Sequence, residues 1–314
     1  MKKWNVVASC LLGFGTVMMI GSLAACKGVQ NLSAAKYTME TYEITENIQN
    51  ISIETITADV KILPASDGVN KVVSFEREKI KQTVSLSAGT LVIGAEDTRE
   101  WYDHINFFAW EKPVLTVYLA QTELNSLAIQ GSTGDVDISK EFSFDSIDVS
   151  ISTGDVDCYA STSGLMKIKT STGDITVENV TVGALDLTLS TGEAEVESVV
   201  CEGDVQINLS TGDSEIDNLT CKNFTSTGGT GELEMNKVVA REAMSIERTT
   251  GDIRFKYCDA AEVTIKASTG DVKGTFLSEK IYEVSTSTGR KIVPYSERGG
   301  KCKITTTTGD IEIR

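Results

Sequence analysis

One short motif constrains this chain more than any other feature. Thr-Gly-Asp or a close variant, usually with Ser before it, places its glycine at Gly134, Gly154, Gly173, Gly192, Gly212, Gly231, Gly251, Gly270, Gly289 and Gly309. Successive glycines are always 19 or 20 residues apart. A period of that length marks a repeat architecture. Aligned on the glycine, position −7 holds Leu127, Ile147, Met166, Leu185, Val205 and Phe224, and position −5 holds Ile129, Val149, Ile168, Leu187 and Ile207. Apolar residues return at +2 (Val136, Val156, Ile175, Ile253) and at +4 (Ile138, Cys158, Val177, Val196) until the pattern weakens at Gly274. Between these columns lie polar residues such as Asp137, Asp157, Glu195 and Glu215. Alternation on both sides of the glycine predicts two half-buried strands per unit. A third apolar column is expected at +7: Val180, Val199, Leu219, Val238, Cys258 and Leu277.

No unit of 19 or 20 residues can bury such a face alone, whereas stacked units bury it against one another. The expected fold is therefore all-β: a single-chain, right-handed parallel β-solenoid of 19–20-residue coils. With about 4.8 Å per coil, the copies form a rod on the order of 50 Å long. Residues 131–314 form the regular solenoid, and residues 41–130 are less regular coils. There, Ile51, Ile53, Val60 and Ile62 surround Ala58 at the repeat offsets, and Gly89 with Val84, Leu91 and Ile93 suggests a weaker coil.

At each corner, glycine supplies a backbone angle that other residues resist, and Asp or Thr can bond the turn locally. Stacking would align the corner threonines from Thr133 to Thr308 beside the column Asp135, Asp155, Asp174, Glu193, Asp213, Glu232, Asp252 and Asp271. Such a column is either a cation-binding edge or corner chemistry with solvated charge. Corner chemistry is preferred, because the calcium-binding β-roll carries several Gly-Asp turns in a shorter repeat. No metal site and no cofactor site are expected. One histidine in 314 residues removes multi-histidine metal sites and most histidine catalysis. A net charge of −16 argues against nucleic acid as a partner.

Residues 1–26 differ from the rest. Lys2 and Lys3 precede an uncharged run from Trp4 to Cys26, the form of an export or anchoring signal. The run is long enough to cross a bilayer as a helix, while Leu23-Ala24-Ala25-Cys26 has the form of a lipobox with Cys26 as the lipidated residue. Either version anchors the body outside the cytoplasmic membrane, with residues 27–40 as a tether. Between the irregular coils and the regular rod, Glu96–Pro113 gathers Trp101, Tyr102, His104, Phe107, Phe108 and Trp110. This cluster is read as a cap over the end of the core, or as a surface for a sugar or protein partner. The five body cysteines show no C-x-x-C pair. Cys158, Cys258 and Cys302 fall in apolar columns, and Cys201 and Cys221 are expected side by side as a buried dithiol or a disulfide. The last coil ends in Thr308–Ile313. Its strands are expected to present an unpaired edge, blunted by Asp310, Glu312 and Arg314, that allows weak end-to-end self-association.

The Ser-Thr-Gly-Asp repeats, Tyr42-Glu43-Ile44-Thr45, Trp101-Tyr102-Asp103 and the apolar N-terminus together resemble a bacterial family of β-strand-repeat proteins known as "putative adhesins". The resemblance implies a solenoid ectodomain on a membrane anchor, usually an uncleaved helix, and some relatives accompany envelope-stress systems. It implies no catalytic residue. The expected function is a non-enzymatic surface-binding or adhesin-like module whose partner is an envelope protein or glycan. A structural or regulatory envelope protein is the alternative, and a carbohydrate-active β-helix enzyme the least favoured, since the acids recur in register rather than converging.

Overall fold

The computed structural model describes residues 37–77, 80–98 and 112–314, and among them there are strands but no helix. The chain winds into a β-solenoid whose coils, each identified here by its corner glycine, stack in parallel. Equivalent residues of neighbouring coils lie side by side. Leu127 pairs with Ile147, Ile147 with Met166, Met166 with Leu185 and Leu185 with Val205. Past the corner, Val136 pairs with Val156, Val156 with Ile175 and Ile175 with Ala194. All of these side chains are buried, so two walls close over one continuous core. Each fully buried aliphatic side chain contributes roughly 1.5–3 kcal/mol, and identical spacing lets every coil share that gain with its neighbours.

The corners explain the glycines. All ten have φ between 129° and 151°, the region L-residues avoid. A Cβ on Gly212 would also lie 1.8 Å from the carbonyl oxygen of Gly192. Coils stack so closely there that any side chain collides with the backbone of the preceding turn. A second corner follows six residues later. Asn179, Ser198, Asn218, Lys237 and Tyr257 adopt φ of 53–56°, where Asn is the usual non-glycine resident.

The third apolar column is buried at Val180, Val199, Leu219, Val238 and Cys258, but Leu277 is exposed. Phe276 takes its place, pairing with Cys258 across a register shift. The cause lies two coil positions earlier. A Cβ on Gly274 would sit 2.4 Å from the ring of Phe255, so the ring fills the space that a side chain at 274 would need. Phe276 then packs with its centroid 4.7 Å from that of Phe255.

Both ends depart from chain order. Strands Thr90–Asp97 and Val114–Leu119 pair in parallel with Asn50–Thr55 and Asp59–Pro64. They form a coil outboard of the Ala58 coil, while Ala58 itself stacks directly on the Gly134 coil. Gly89 is not a solenoid corner. With Ala88 it forms a two-residue hairpin turn, both at positive φ, that folds Ile80–Ser87 antiparallel onto Thr90–Asp97. Leu91 and Ile93 are fully buried all the same. On the other wall Asn70–Arg77 and Tyr37–Ile44 add antiparallel strands.

At the opposite end the last two coils exchange places. Glu262–Thr269 pairs with Gly300–Thr308, not with Lys280–Thr288, and Lys280–Thr288 pairs on the far side of Gly300–Thr308. Val272–Phe276, Ile311–Ile313 and Lys291–Ile292 follow the same order. The spatial sequence is thus Gly270, Gly309, Gly289. The expectation that Thr308–Ile313 carries an unpaired edge is overturned, because those strands have a neighbour on each side. The outermost strand is Lys280–Thr288.

Candidate functional site

The corner column is a hydrogen-bonded ladder. Asp135 Oδ1 accepts from the backbone N–H of Asp155 at 3.1 Å, Asp155 from Asp174 at 2.8 Å, and Asp174 from Glu193 at 2.7 Å. Asp213 accepts from Glu232, and Asp252 from Asp271. Each carboxylate satisfies a backbone donor that the tight corner leaves without a strand partner. Aspartate has the reach for this bond. The ladder also follows the exchanged order at the C-terminal end: Asp271 accepts from Asp310 N–H, and Asp310 from Arg290 N–H. The Arg290 guanidinium returns to Asp310 at 2.6 Å. No cluster of three or more metal-ligating side chains occurs among the described residues.

Beside the ladder runs an acidic wall. Glu195, Glu215 and Glu234 are in-register neighbours, as are Glu197 and Asp217, and Asp137 faces Asp157. Like charges directly opposite destabilise a sheet. Burial, followed by the charges of Asp174, Asp213, Glu215 and Glu195, holds the Glu193 carboxyl above its ordinary range. Burial chiefly raises Asp157. Toward the C-terminal end the wall changes sign, with Arg254 on Glu232 and Asp252 and Lys273 on Asp271. The hydrogen bond from Lys273 holds Asp271 below the usual carboxylate range, and its bonds from Arg290 do the same for Asp310.

The buried polar groups are used for packing. Cys201 and Cys221 occupy one column in adjacent coils, with Val182 the register neighbour of Cys201 and, one residue earlier, Val200 paired with Thr181 and Thr220, and both are free thiols. Burial pushes Cys158, Cys221 and Cys302 up to about 12 and Cys258 to about 11, so these thiols stay protonated and unreactive. Arg248 is buried in the core, a position that sequence reasoning did not single out. It donates to Ser226 Oγ at 2.9 Å, Ser214 Oγ at 3.4 Å and the Glu247 carbonyl at 3.1 Å. Gly228 makes room for it: a Cβ there would lie 2.7 Å from the Arg248 side chain. The two serines interrupting apolar columns and the glycine at −3 were the available signal. Burial lowers the guanidinium pKa to about 10. Lys280 is also buried, ion-paired with Asp259 and donating to the Ala260 carbonyl at 2.6 Å.

An open groove of about 400 Å³ lies among Glu54, Thr55, Gln130, Gly131, Ser132 and Ser150. Its polar lining holds no acid–base pair and no nucleophile with a base. Cys26 and the cluster Trp101, Tyr102, His104, Phe107, Phe108 and Trp110 lie outside the described residues.

The coils run from the Ala58 coil to Arg314, with the ladder interrupted after Glu193 and after Glu232, and a match to the Toastrack DUF4097 family spans residues 48–314. The chain belongs to that family. Solved structures with a similar trace include a "putative adhesin" from Bacteroides fragilis, 15% identical, covering 89% of this chain and 97% of that one, with a TM-score of 0.41. A "putative lipid binding protein" from Parabacteroides distasonis is 13% identical, with 90% and 99% coverage and a TM-score of 0.47. A "putative adhesin" from Parabacteroides merdae is 10% identical, with 89% and 96% coverage and a TM-score of 0.47. No curated protein matches the chain.

Proposed function

We propose that this Toastrack protein is a non-enzymatic rod held outside the cytoplasmic membrane by its N-terminal segment and acting as a surface-binding, adhesin-like module. The observation that carries this reading is where the tether leaves the rod. Tyr37–Ile44 is the outermost strand of one wall at the N-terminal end, so a tether entering there puts the Lys280–Thr288 edge at the far tip. An anchored rod would then extend its acidic wall and its tip away from the bilayer. Reactive groups sit where a binding role needs nothing from them: thiols in the core, corner aspartates on backbone donors.

The test uses cells making the full chain. Protease added after wall removal is expected to digest the body while a cytoplasmic control survives, and full protection of the body contradicts the reading. Cys26→Ala separates the anchors, since a lipoprotein loses lipid labelling and a spanning helix does not. Immobilised full chain is expected to retain a glycan or protein from envelope extracts, whereas turnover of wall polysaccharide would favour the enzyme alternative.

A further inference from the structure

The two ends of the rod are finished differently, and the C-terminal end is left open. Lys280–Thr288 pairs only with Gly300–Thr308, so among the described residues its other edge has no strand partner. Its inward residues Tyr282 and Val284 are only partly buried against the core, while their register neighbours Cys302 and Ile304 are fully buried. The two apolar columns therefore stop one strand short of closure. Around this edge stand Ile281, Ile292 and Tyr295, exposed at 44%, 53% and 86%. An added strand with apolar residues at alternate positions would extend both columns and pair the free backbone groups.

Charge selects the occupant. Lys291, Arg298 and Lys301 make no ion pair among the described residues, whereas of the acids at this tip Glu283 is paired with Lys303 and Glu279 and Glu297 accept from the hydroxyls of Ser296 and Tyr295, which leaves the cations in slight excess. Lys301 is the register neighbour of Ile281, Lys291 sits in the terminal strand of the second wall, and Arg298 precedes Gly299, which packs against the Glu279 carbonyl. Two copies meeting tip to tip would bring these cations together. A carboxylate-bearing strand would be attracted instead, although the rod as a whole is strongly acidic. We propose that the Lys280–Thr288 edge is an acceptor for an extended acidic peptide with apolar residues alternating with carboxylates. This deepens the binding-module reading by naming a partner class for its far tip. It is tested on purified chain, so a failure of membrane display and a failure of this site are separable.

The experiment titrates full chain, in mild detergent, with a blocked nine-residue peptide alternating Val and Glu. Hydrogen exchange and calorimetry are followed together. The expected result is saturable, salt-weakened binding with slowed exchange confined to amides of residues 280–288. A peptide of the same composition with its valines adjacent should bind at least tenfold more weakly. Lys291→Glu with Arg298→Glu, both at exposed sites, should cost tenfold or more and favour an alternating Val/Lys peptide instead. No binding at millimolar peptide, or protection elsewhere on the rod, overturns the proposal. Sedimentation as a dimer without peptide, with residues 280–288 already protected, also overturns it and makes a second copy the occupant.

Discussion

The interior coils and the two ends obey different rules, although both are built from the same columns. Between Gly134 and Gly270 each coil stacks on its predecessor in the chain, with register shifts only after Cys221 and between Phe255 and Cys258. At the ends this order fails. The N-terminal end folds a later coil outside an earlier one and closes it with antiparallel strands. The C-terminal end slips its last coil between two others and leaves an edge open. A solenoid interior needs only that like columns meet, but an end must also dispose of unpaired backbone and half-exposed core.

The sharpest break between the regions should come from glycine. Gly212→Ala places a methyl group against the Gly192 carbonyl and is expected to cost about 3 kcal/mol or more. Gly68, in the N-terminal region at φ 72° with nothing within 4 Å of a Cβ, should cost only about 1 kcal/mol as Ala. Denaturant melts of the two variants check the contrast. Next in size, Lys280→Ala strips Asp259 and the Ala260 carbonyl of a buried cation. Because Asp259 is partly exposed, the expected loss is about 2 kcal/mol, with hydrogen exchange rising first in residues 276–314.

Smaller effects probe the ladder and the second corner. Asp213→Ala removes the acceptor for Glu232 N–H and should cost about 1 kcal/mol, whereas Asp213→Asn keeps an oxygen there and should leave the melting temperature nearly unchanged. Lys237→Asn places a residue tolerant of φ 54° in a strained position, for an expected gain of under about 1 kcal/mol in the same melts. Acidification should separate the regions by sign. Glu193 titrates above its ordinary value in the fold, so its ionisation weakens the middle of the rod at neutral pH, and that penalty is relieved as pH falls through the raised value. Asp271 and Asp310 titrate below theirs, so the support they give is present at neutral pH and lost only as pH falls through those lowered values. Glu193→Gln should therefore raise the melting temperature slightly at pH 7 and not at pH 4.

The interior was legible in the sequence because its physics is periodic: Ile147, Met166 and Leu185 fall in one column whichever neighbour each meets. Coil order at the ends was not legible for the same reason, since matching columns fit in any order. One residue did carry the information. Arg290 stands where the other corners carry Asp or Glu, and it closes the ladder on Asp310, with no further coil among the described residues whose N–H a carboxylate there could cap. Lys291, in a column otherwise apolar but for Ser214, marks the same boundary. The ladder itself was missed because an aspartate beside a turn bonds its own turn in most proteins, and only the stacked geometry reveals the donor one coil away. Arg248 was missed because a charged residue at −3 breaks the alternation and reads as an outward side chain.

The exchanged order of the last coils is what makes Lys280–Thr288 the tip, and zero-length carbodiimide cross-linking with peptide mass spectrometry tests it most directly. Lys303 and Glu283, 3.1 Å apart, should couple whether the coils follow chain order or not, which makes them the internal control. Glu262 with Lys301 and Lys273 with Glu312 are register neighbours only in the exchanged order; in chain order each pair would be separated by an intervening coil, at about 10 Å. The account predicts both of these links in the folded full chain. Recovery of the Lys303–Glu283 link without either of the other two would contradict it.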